Sequence, residues 1–170
     1  DILNRAQRYV HIMSPYLILD GEMETMLKFA AERGVDITLI LPGIPDKKAP
    51  YAQPISNTFG IAAVTSARMY PLLASGVRIY EYTPGFVHAK VFVCDDREAV
   101  VGTINLDYRS LYHHFECATY LYGVDCINDI EADYQSVLKQ CRAVTTETIR
   151  QEKWTVKASG IVLKAIAPLM

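Results

Sequence analysis

The 170-residue sequence has no long hydrophobic run, no cysteine pair and no excess of either charge. No uninterrupted apolar stretch approaches the roughly 18 residues that cross a bilayer as a helix. Cys94, Cys117, Cys126 and Cys141 form no CxxC pair and no metal-ligand spacing. Buried thiols in a reducing compartment are expected. Lys and Arg total 17 against 19 Asp and Glu, so the net charge is -2. Nothing global attracts nucleic acid or an anionic membrane, which leaves only a local patch for such a role. Internal repeats and low-complexity stretches are missing too. What is present, 51% hydrophobic and 21% charged residues, suits one globular domain with a core. The chain opens on Asp1 rather than methionine, and it is expected to be a piece of something longer.

Along the chain, strand and helix patterns alternate. "RYVHIMSP" (8–15) reads as a buried strand with an extended Ser14-Pro15 exit. In "DGEMETMLKFAAERG" (20–34), Asp20 is the expected N-cap and Gly34 the C-terminal stop. Met23, Met26, Leu27 and Ala30 repeat there at helical spacing. "VDITLILPG" (35–43) is a strand. Pro42, Pro45, Pro50 and Pro54 make 42–56 a loop, of a length that is often functional. Residues 57–75 read as a helix closing at Gly76, and "VRIYEY" (77–82) as the next strand. Helix then strand has occurred twice, each time through Gly-Val, which is the cadence of an α/β layer fold. "FECATYLY" (115–122) is a further strand, and "CINDIEADYQSVLKQCRAV" (126–144) a long amphipathic helix. The first 150 residues form the domain. The tail that follows, with Trp154, Val156, Ile161, Val162, Leu163, Ile166 and Leu169 beside Lys157 and Lys164, suits either a membrane surface or packing on its own or absent domains.

The chemistry concentrates in "HAKVFVCDDREAVVGTIN" (88–105), a strand, a turn and a second strand. Side chains alternate along a strand, so Val87, Ala89, Val91 and Val93 share a core-like face, and His88, Lys90, Phe92 and Cys94 the other. His88 and Lys90 are expected side by side, about 7 Å apart by the strand rise. An imidazole and an ammonium held together suit an anion, with phosphate the obvious one. Lysine neutralises its oxygens, and histidine can attack it or move protons. Gly102 lets the backbone come close, Thr103 adds a hydroxyl, and Asn105 an amide that donates to a phosphoryl oxygen. Residues 106–112 are expected to open a short helix whose first amides add to the anion site. His11 is followed by Met13, and no lysine completes a second pattern there. A lone strand histidine or lysine is usually structural. The compound register His88-x-Lys90-x4-Asp95 followed by Gly102-Thr103-x-Asn105 is not a chance arrangement.

That register resembles the phospholipase D superfamily, whose signature is HxKx4D followed by GSxN, with Thr103 here in place of the serine. "TPGFVHAKVFVCDDREAVVGTINLDYRSLYHHFECATYLY" (83–122) is similar to the second HKD motif of bacterial cardiolipin synthases. "SPYLILDGEM", "GVDITLILPGIPDKK" and "LKAIAPLM" resemble other segments of the same enzymes. The resemblance implies a phospholipase D-like half, a mixed β-sheet flanked by helices on both faces. It implies that His88 is one of two histidines that share a phosphohistidine mechanism, with acid/base the favoured role because it lies in the second motif. Lys90 and Asn105 would hold the non-bridging phosphate oxygens, assisted by Thr103. Glu116 would bond and orient the histidine's other nitrogen, as the aspartate does in serine-protease triads. Asp95 belongs to the catalytic signature, yet its strand parity is opposite to that of His88 and favours a structural role at the turn. His113 and His114 are candidates for the pocket rim.

The reaction implied for the parent joins two phosphatidylglycerol molecules into cardiolipin and glycerol, with no metal or organic cofactor. Its site would be completed by the first HKD domain of the parent. The parent would lie at the cell membrane with this domain on the cytoplasmic side, and the isolated piece would be soluble. The competing reading is a one-motif phosphodiesterase or nuclease completed by a second copy in a symmetric homodimer. The nuclease version needs a basic groove, and no basic cluster surrounds the motif, so no nucleic-acid partner is expected. A folded but catalytically silent half is the third reading.

Overall fold

The structure is a computed structural model that describes residues 1–43 and 69–150. The proline-rich loop beyond Gly43, the expected helix 57–75 up to residue 68, and the tail 151–170 lie outside the described residues.

Seven strands form one mixed sheet: β1 (Tyr9–Met13), β2 (Asp36–Pro42), β3 (Arg78–Tyr82), β4 (Val91–Cys94), β5 (Glu98–Gly102), β6 (Ala118–Tyr122) and β7 (Cys141–Val144), in the order β6-β5-β4-β1-β2-β3-β7. The pairs β1–β2 and β2–β3 are parallel, and all others antiparallel. The helices are α1 (Ile2–Arg5), α2 (Gly21–Glu32), α3 (residues 69–74), α4 (Cys126–Leu138) and α5 (Thr146–Arg150). Strand alternation sorts the core into two layers. Val10, Ile12, Ile37, Leu39 and Ile79 face Leu3, Leu27, Ala30 and Leu72 of the first three helices. Met13, Ile40, Val91 and Val93 face Ile127 and Tyr134 of α4. The sheet is therefore covered by helices on both faces, and β2, at its parallel centre, is buried through Ile37–Leu41.

The two Gly-Val junctions are the same device. Gly34 N–H donates to Ala31 O at 2.9 Å and Val35 N–H to Ala30 O at 3.1 Å; Gly76 N–H donates to Leu73 O at 3.1 Å and Val77 N–H to Leu72 O at 3.0 Å. Both glycines have φ +92°. This is the paired hydrogen-bond pattern that ends a helix in a left-handed residue, where a β-carbon would be strained. Each junction ends a helix and feeds the next parallel strand. At the other end of α2, the Asp20 carboxylate accepts from Met23 N–H at 2.6 Å, as the N-cap expectation required.

Two expectations need correction. The pattern over 126–144 is not one helix: α4 stops at Leu138, and 141–144 pairs antiparallel with β3. The edge of β3 carries unpaired backbone groups, and satisfying them outweighs the helical periodicity of the last residues. Nor are the thiols uniformly buried. Cys94 is buried, and burial pushes its pKa up to about 12, but Cys117 and Cys126 are exposed and Cys141 is half-buried. Cys117 leads into the edge strand β6 and Cys126 opens α4, positions that the sheet does not cover.

Candidate active site

Regular pairing in β4 begins at Val91, opposite Val101 of β5 and Met13, the last residue of β1; one further bond, from Gly102 N–H to Lys90 O at 3.3 Å, continues toward the site. The extended segment 86–90 keeps the alternation nonetheless. Val87 and Ala89 pack with Val91 and Val93 in the layer under α4, while His88 and Lys90 line an open pocket. Their side-chain tips meet, although the rise along an extended chain keeps their α-carbons apart. Lys90 Nζ lies 3.0 Å from both ring nitrogens of His88 and donates to the His88 carbonyl at 2.8 Å. An ammonium can donate only to a ring nitrogen that carries no proton, so in a neutral imidazole only one of the two ring nitrogens can accept from it. The His88 ring also stacks on Phe86, with centroids 5.9 Å apart.

Gly102, Thr103 and Asn105 line the same pocket, whose volume is about 550 Å³. A β-carbon on Gly102 would lie 2.3 Å from Cys117 O and 2.5 Å from Ala118 Cα, so only glycine admits β6 at this distance. Next to it, Thr103 N–H donates to Cys117 O at 3.0 Å, and Cys117 N–H to Thr103 Oγ1 at 3.1 Å. Thr103 Oγ1 donates to the Glu116 carboxylate. The hydroxyls of Thr103 and then Ser110 hold the Glu116 carboxyl below the usual carboxylate range, with His114 and Lys90 adding to the effect. Burial draws Lys90 below its ordinary value, opposed by the charges of Glu116 and Asp107. Asn105 donates from Nδ2 to Ser110 Oγ at 3.1 Å. The pocket thus gathers an imidazole, an ammonium, a hydroxyl and an amide. That set can hold a tetrahedral anion and transfer its proton or its ester bond.

Asp95 is elsewhere. It sits at the far end of β4 in a three-residue turn with Asp96 and Arg97, and both aspartates have positive φ (53° and 57°). Its carboxylate accepts from the backbone N–H groups of Gln7, Arg8 and Tyr9 at 2.8, 2.9 and 2.8 Å. This clasps the entry of β1 to the hairpin, which is the structural role that strand parity favoured over a catalytic one. Burial pushes the carboxyl up, but the three amides and Arg8 outweigh it, leaving its pKa below the ordinary value. A lowered folded-state pKa stabilises above the unfolded value and loses that contribution as pH falls through the folded one. Asp95→Ala should cost about 2 kcal/mol near neutral pH, discounted for the solvent that reaches the carboxylate. The difference from the native protein should shrink toward zero in acid. Chemical denaturation at several pH values checks both the size and the sign.

The helix expected over 106–112 is a single π-helical turn, Arg109–His113, closed by His114 N–H on Arg109 O at 2.8 Å. Two of its first amides are taken within the turn: Asp107 Oδ1 accepts from Ser110 N–H at 2.7 Å, and Asp107 O from Leu111 N–H at 3.1 Å. His113 and His114 are exposed at its end and are not among the described lining residues. His11 is buried between the Tyr9 and Tyr134 rings, 2.9 Å from Glu131, on the α4 side of the sheet. Two contributors carry no motif signal. Ser14, 1% exposed, accepts from Leu106 N–H at 3.1 Å and so pins the residue beside Asn105. Ser110 is the other; its Asp107-x-x-Ser110 spacing is a capping pattern that could have pointed to it. Among the described residues, no cluster of His, Cys, Asp and Glu could hold a metal ion, and no helix is long and apolar enough to cross a membrane.

Comparison with known proteins agrees with this geometry. The family described as the PLD-like domain of cardiolipin synthase matches residues 1–138. An uncharacterised protein of Streptococcus mutans is 60% identical over 100% of this chain and 34% of its own length. Cardiolipin synthase of a Geobacillus species is 34% identical over 99% of the chain and 32% of its own. Cardiolipin synthase 1 of Staphylococcus aureus is 32% identical over 97% and 31%. The chain thus spans about a third of the length of these relatives. Among solved structures, phosphatidylserine synthase of Haemophilus influenzae superposes with a TM-score of 0.72 at 16% identity, over 99% of this chain and 43% of that one. Nuc, a phospholipase D family member from Salmonella typhimurium, gives 0.67 at 16% identity over 85% and 87%. From its sequence match and its sheet alike, the chain belongs to the phospholipase D-like domain family of the cardiolipin synthases.

Proposed function

We propose that this chain is the C-terminal catalytic half of a phosphatidyltransferase that makes cardiolipin from two molecules of phosphatidylglycerol. The observation that carries the reading is the contact of His88 and Lys90 in a pocket that Thr103 and Asn105 also line. In the first step a histidine nitrogen bonds to phosphorus, and the P–O bond to glycerol breaks. The other histidine of the completed site protonates the departing glycerol. In the second step that histidine takes the proton of a hydroxyl on the second phosphatidylglycerol. The oxygen bonds to phosphorus, and the phosphohistidine bond breaks. No electrons are exchanged and no cofactor enters. We assign His88 to the acid/base role, and Lys90 and Asn105 to the non-bridging oxygens.

One HKD set is half of this machinery, and we propose that a first HKD domain of the parent supplies the other histidine. We place the parent at the cytoplasmic face of the cell membrane, where both lipids are within reach. The full-length protein, given vesicles of phosphatidylglycerol, should release glycerol and form cardiolipin in equal amounts. Absence of cardiolipin under conditions where the folded protein binds the vesicles would overturn the reading. A second reading rests on the match to Nuc, which is covered over 87% of its length: a unit of this size could instead be completed by a second copy as a phosphodiesterase. Sedimentation of this chain over a concentration range separates the two, since only the second requires a tight symmetric dimer.

Glu116 is the proposed orienting partner of the catalytic imidazole. Glu116→Gln keeps the shape and the acceptor oxygen for Thr103 but removes the charge. It should lower kcat by about 10- to 100-fold, less than loss of His88 itself. Steady-state rates on phosphatidylglycerol micelles decide this, and a loss equal to that of His88→Ala would give Glu116 a larger role than orientation.

A further inference from the structure

We propose that Ser110 is a positioning residue of the phosphate site: its buried hydroxyl, 3.1 Å from Asn105 Nδ2, sets which end of the Asn105 amide meets the substrate. The role attributed to Asn105 under the proposed function is the one this inference extends.

An asparagine amide is nearly symmetric in shape, with donors at one end and an acceptor at the other. Only its hydrogen bonds decide which end faces a ligand. Asn105 Oδ1 is buried and has no hydrogen-bond partner among the described residues. The bond from Nδ2 to Ser110 is therefore the one described anchor of the amide. Ser110 is itself held rigidly. It is 6% exposed, lies in the π-helical turn, and its N–H is taken by Asp107 Oδ1 at 2.7 Å.

The direction of the bond follows from counting protons. A serine hydroxyl has one proton to donate. Glu116, whose carboxyl the Thr103 and Ser110 hydroxyls draw below its usual range, is the acceptor of both. The Ser110 proton turned toward Glu116 leaves Ser110 Oγ as an acceptor for Asn105. The amide nitrogen must then face Ser110, and its second N–H is the one left for a phosphoryl oxygen. Donation runs one way, from Asn105 to Ser110 to Glu116. Ser110 touches no reacting atom in this arrangement; it acts through Asn105.

The test is a mutant cycle in the full-length protein. Ser110→Ala should lower kcat by about 30- to 100-fold while KM changes less than threefold, the scale of loss that misplacing one group produces. Ser110→Thr, which keeps the hydroxyl, should recover most of the rate. In an Asn105→Ala background, Ser110→Ala should change kcat by less than about twofold, because the group it positions is gone. Ser110→Cys, near in volume, replaces Ser110→Ala if the latter does not fold. A rate for Ser110→Ala within twofold of the native protein overturns the inference, and so does a loss that simply adds to that of Asn105→Ala. Crystal structures of the native protein, Ser110→Ala and Ser110→Thr provide a readout that does not depend on activity. An Asn105 amide displaced in Ser110→Ala and retained in Ser110→Thr supports the inference even if no cardiolipin is ever formed. An amide unmoved in Ser110→Ala overturns it whatever the reaction proves to be.

Discussion

Replacing His88 with alanine in the full-length protein is expected to reduce phosphatidyl transfer by at least about 10³-fold while leaving the thermal unfolding midpoint unchanged. The two halves of this expectation rest on different observations. His88 is exposed, and the pocket it lines is open, so truncation removes no core packing. The apolar positions beside it, Val87 and Ala89, already carry the packing under α4. Chemistry, by contrast, has no substitute at this position. The neighbouring group within reach is Lys90, an ammonium that has no lone pair while charged and cannot accept the proton of an incoming alcohol. Cardiolipin formation measured beside a thermal melt gives both numbers at once. Undiminished synthesis sinks the catalytic assignment. A lowered melting midpoint would mean that the contact with Lys90 contributes to folding as well.

The reading of the fold from the sequence succeeded where local chemistry and tertiary context agree. Gly34-Val35 and Gly76-Val77 announce helix ends because a left-handed residue there needs glycine, whatever the rest of the molecule does. Asp20 before an apolar period is a cap for equally local reasons. The alternation of Val87, Ala89, Val91 and Val93 survives although the first two precede the regular strand, since alternation follows from extended backbone and not from pairing. Failures occurred where a distant partner decides. Nothing local in 141–144 says that the edge of β3 lies waiting for it. The start of β4 coincides with the end of β1 at Met13, a residue far earlier in the chain. Ser110 escaped for a related reason: its neighbours Asn105 and Glu116 were each legible as polar groups of the motif, but the hydroxyl between them is visible only once the chain has closed.

Gly102→Ala is expected to be the most damaging single-carbon change available near the site. The added β-carbon would stand 2.3 Å from Cys117 O, 2.5 Å from Ala118 Cα and 2.6 Å from Ala118 Cβ. Two of those atoms are backbone, so no side chain can rotate away, and β6 itself must move. Overpacking of this kind costs about 1–3 kcal/mol. The strand lies at the sheet edge and has room to retreat, which keeps the domain folded. The site has no such latitude. Glu116 and Cys117 lead directly into β6, and both are tied to Thr103, through its hydroxyl and its backbone amide. A retreat of about 1 Å breaks those ties and misplaces the part of the pocket wall that Thr103 forms, so the rate should fall by about 10²-fold. Gly85→Ala is the matched control, because its added carbon would meet nothing nearer than Tyr82 Cε1 at 4.0 Å. It should leave stability within about 0.5 kcal/mol and activity unchanged. If Gly102→Ala proves as mild as Gly85→Ala in melting and in rate, the close approach of β5 and β6 is not what builds this wall, and the dependence of the phosphate site on glycine at position 102 is refuted.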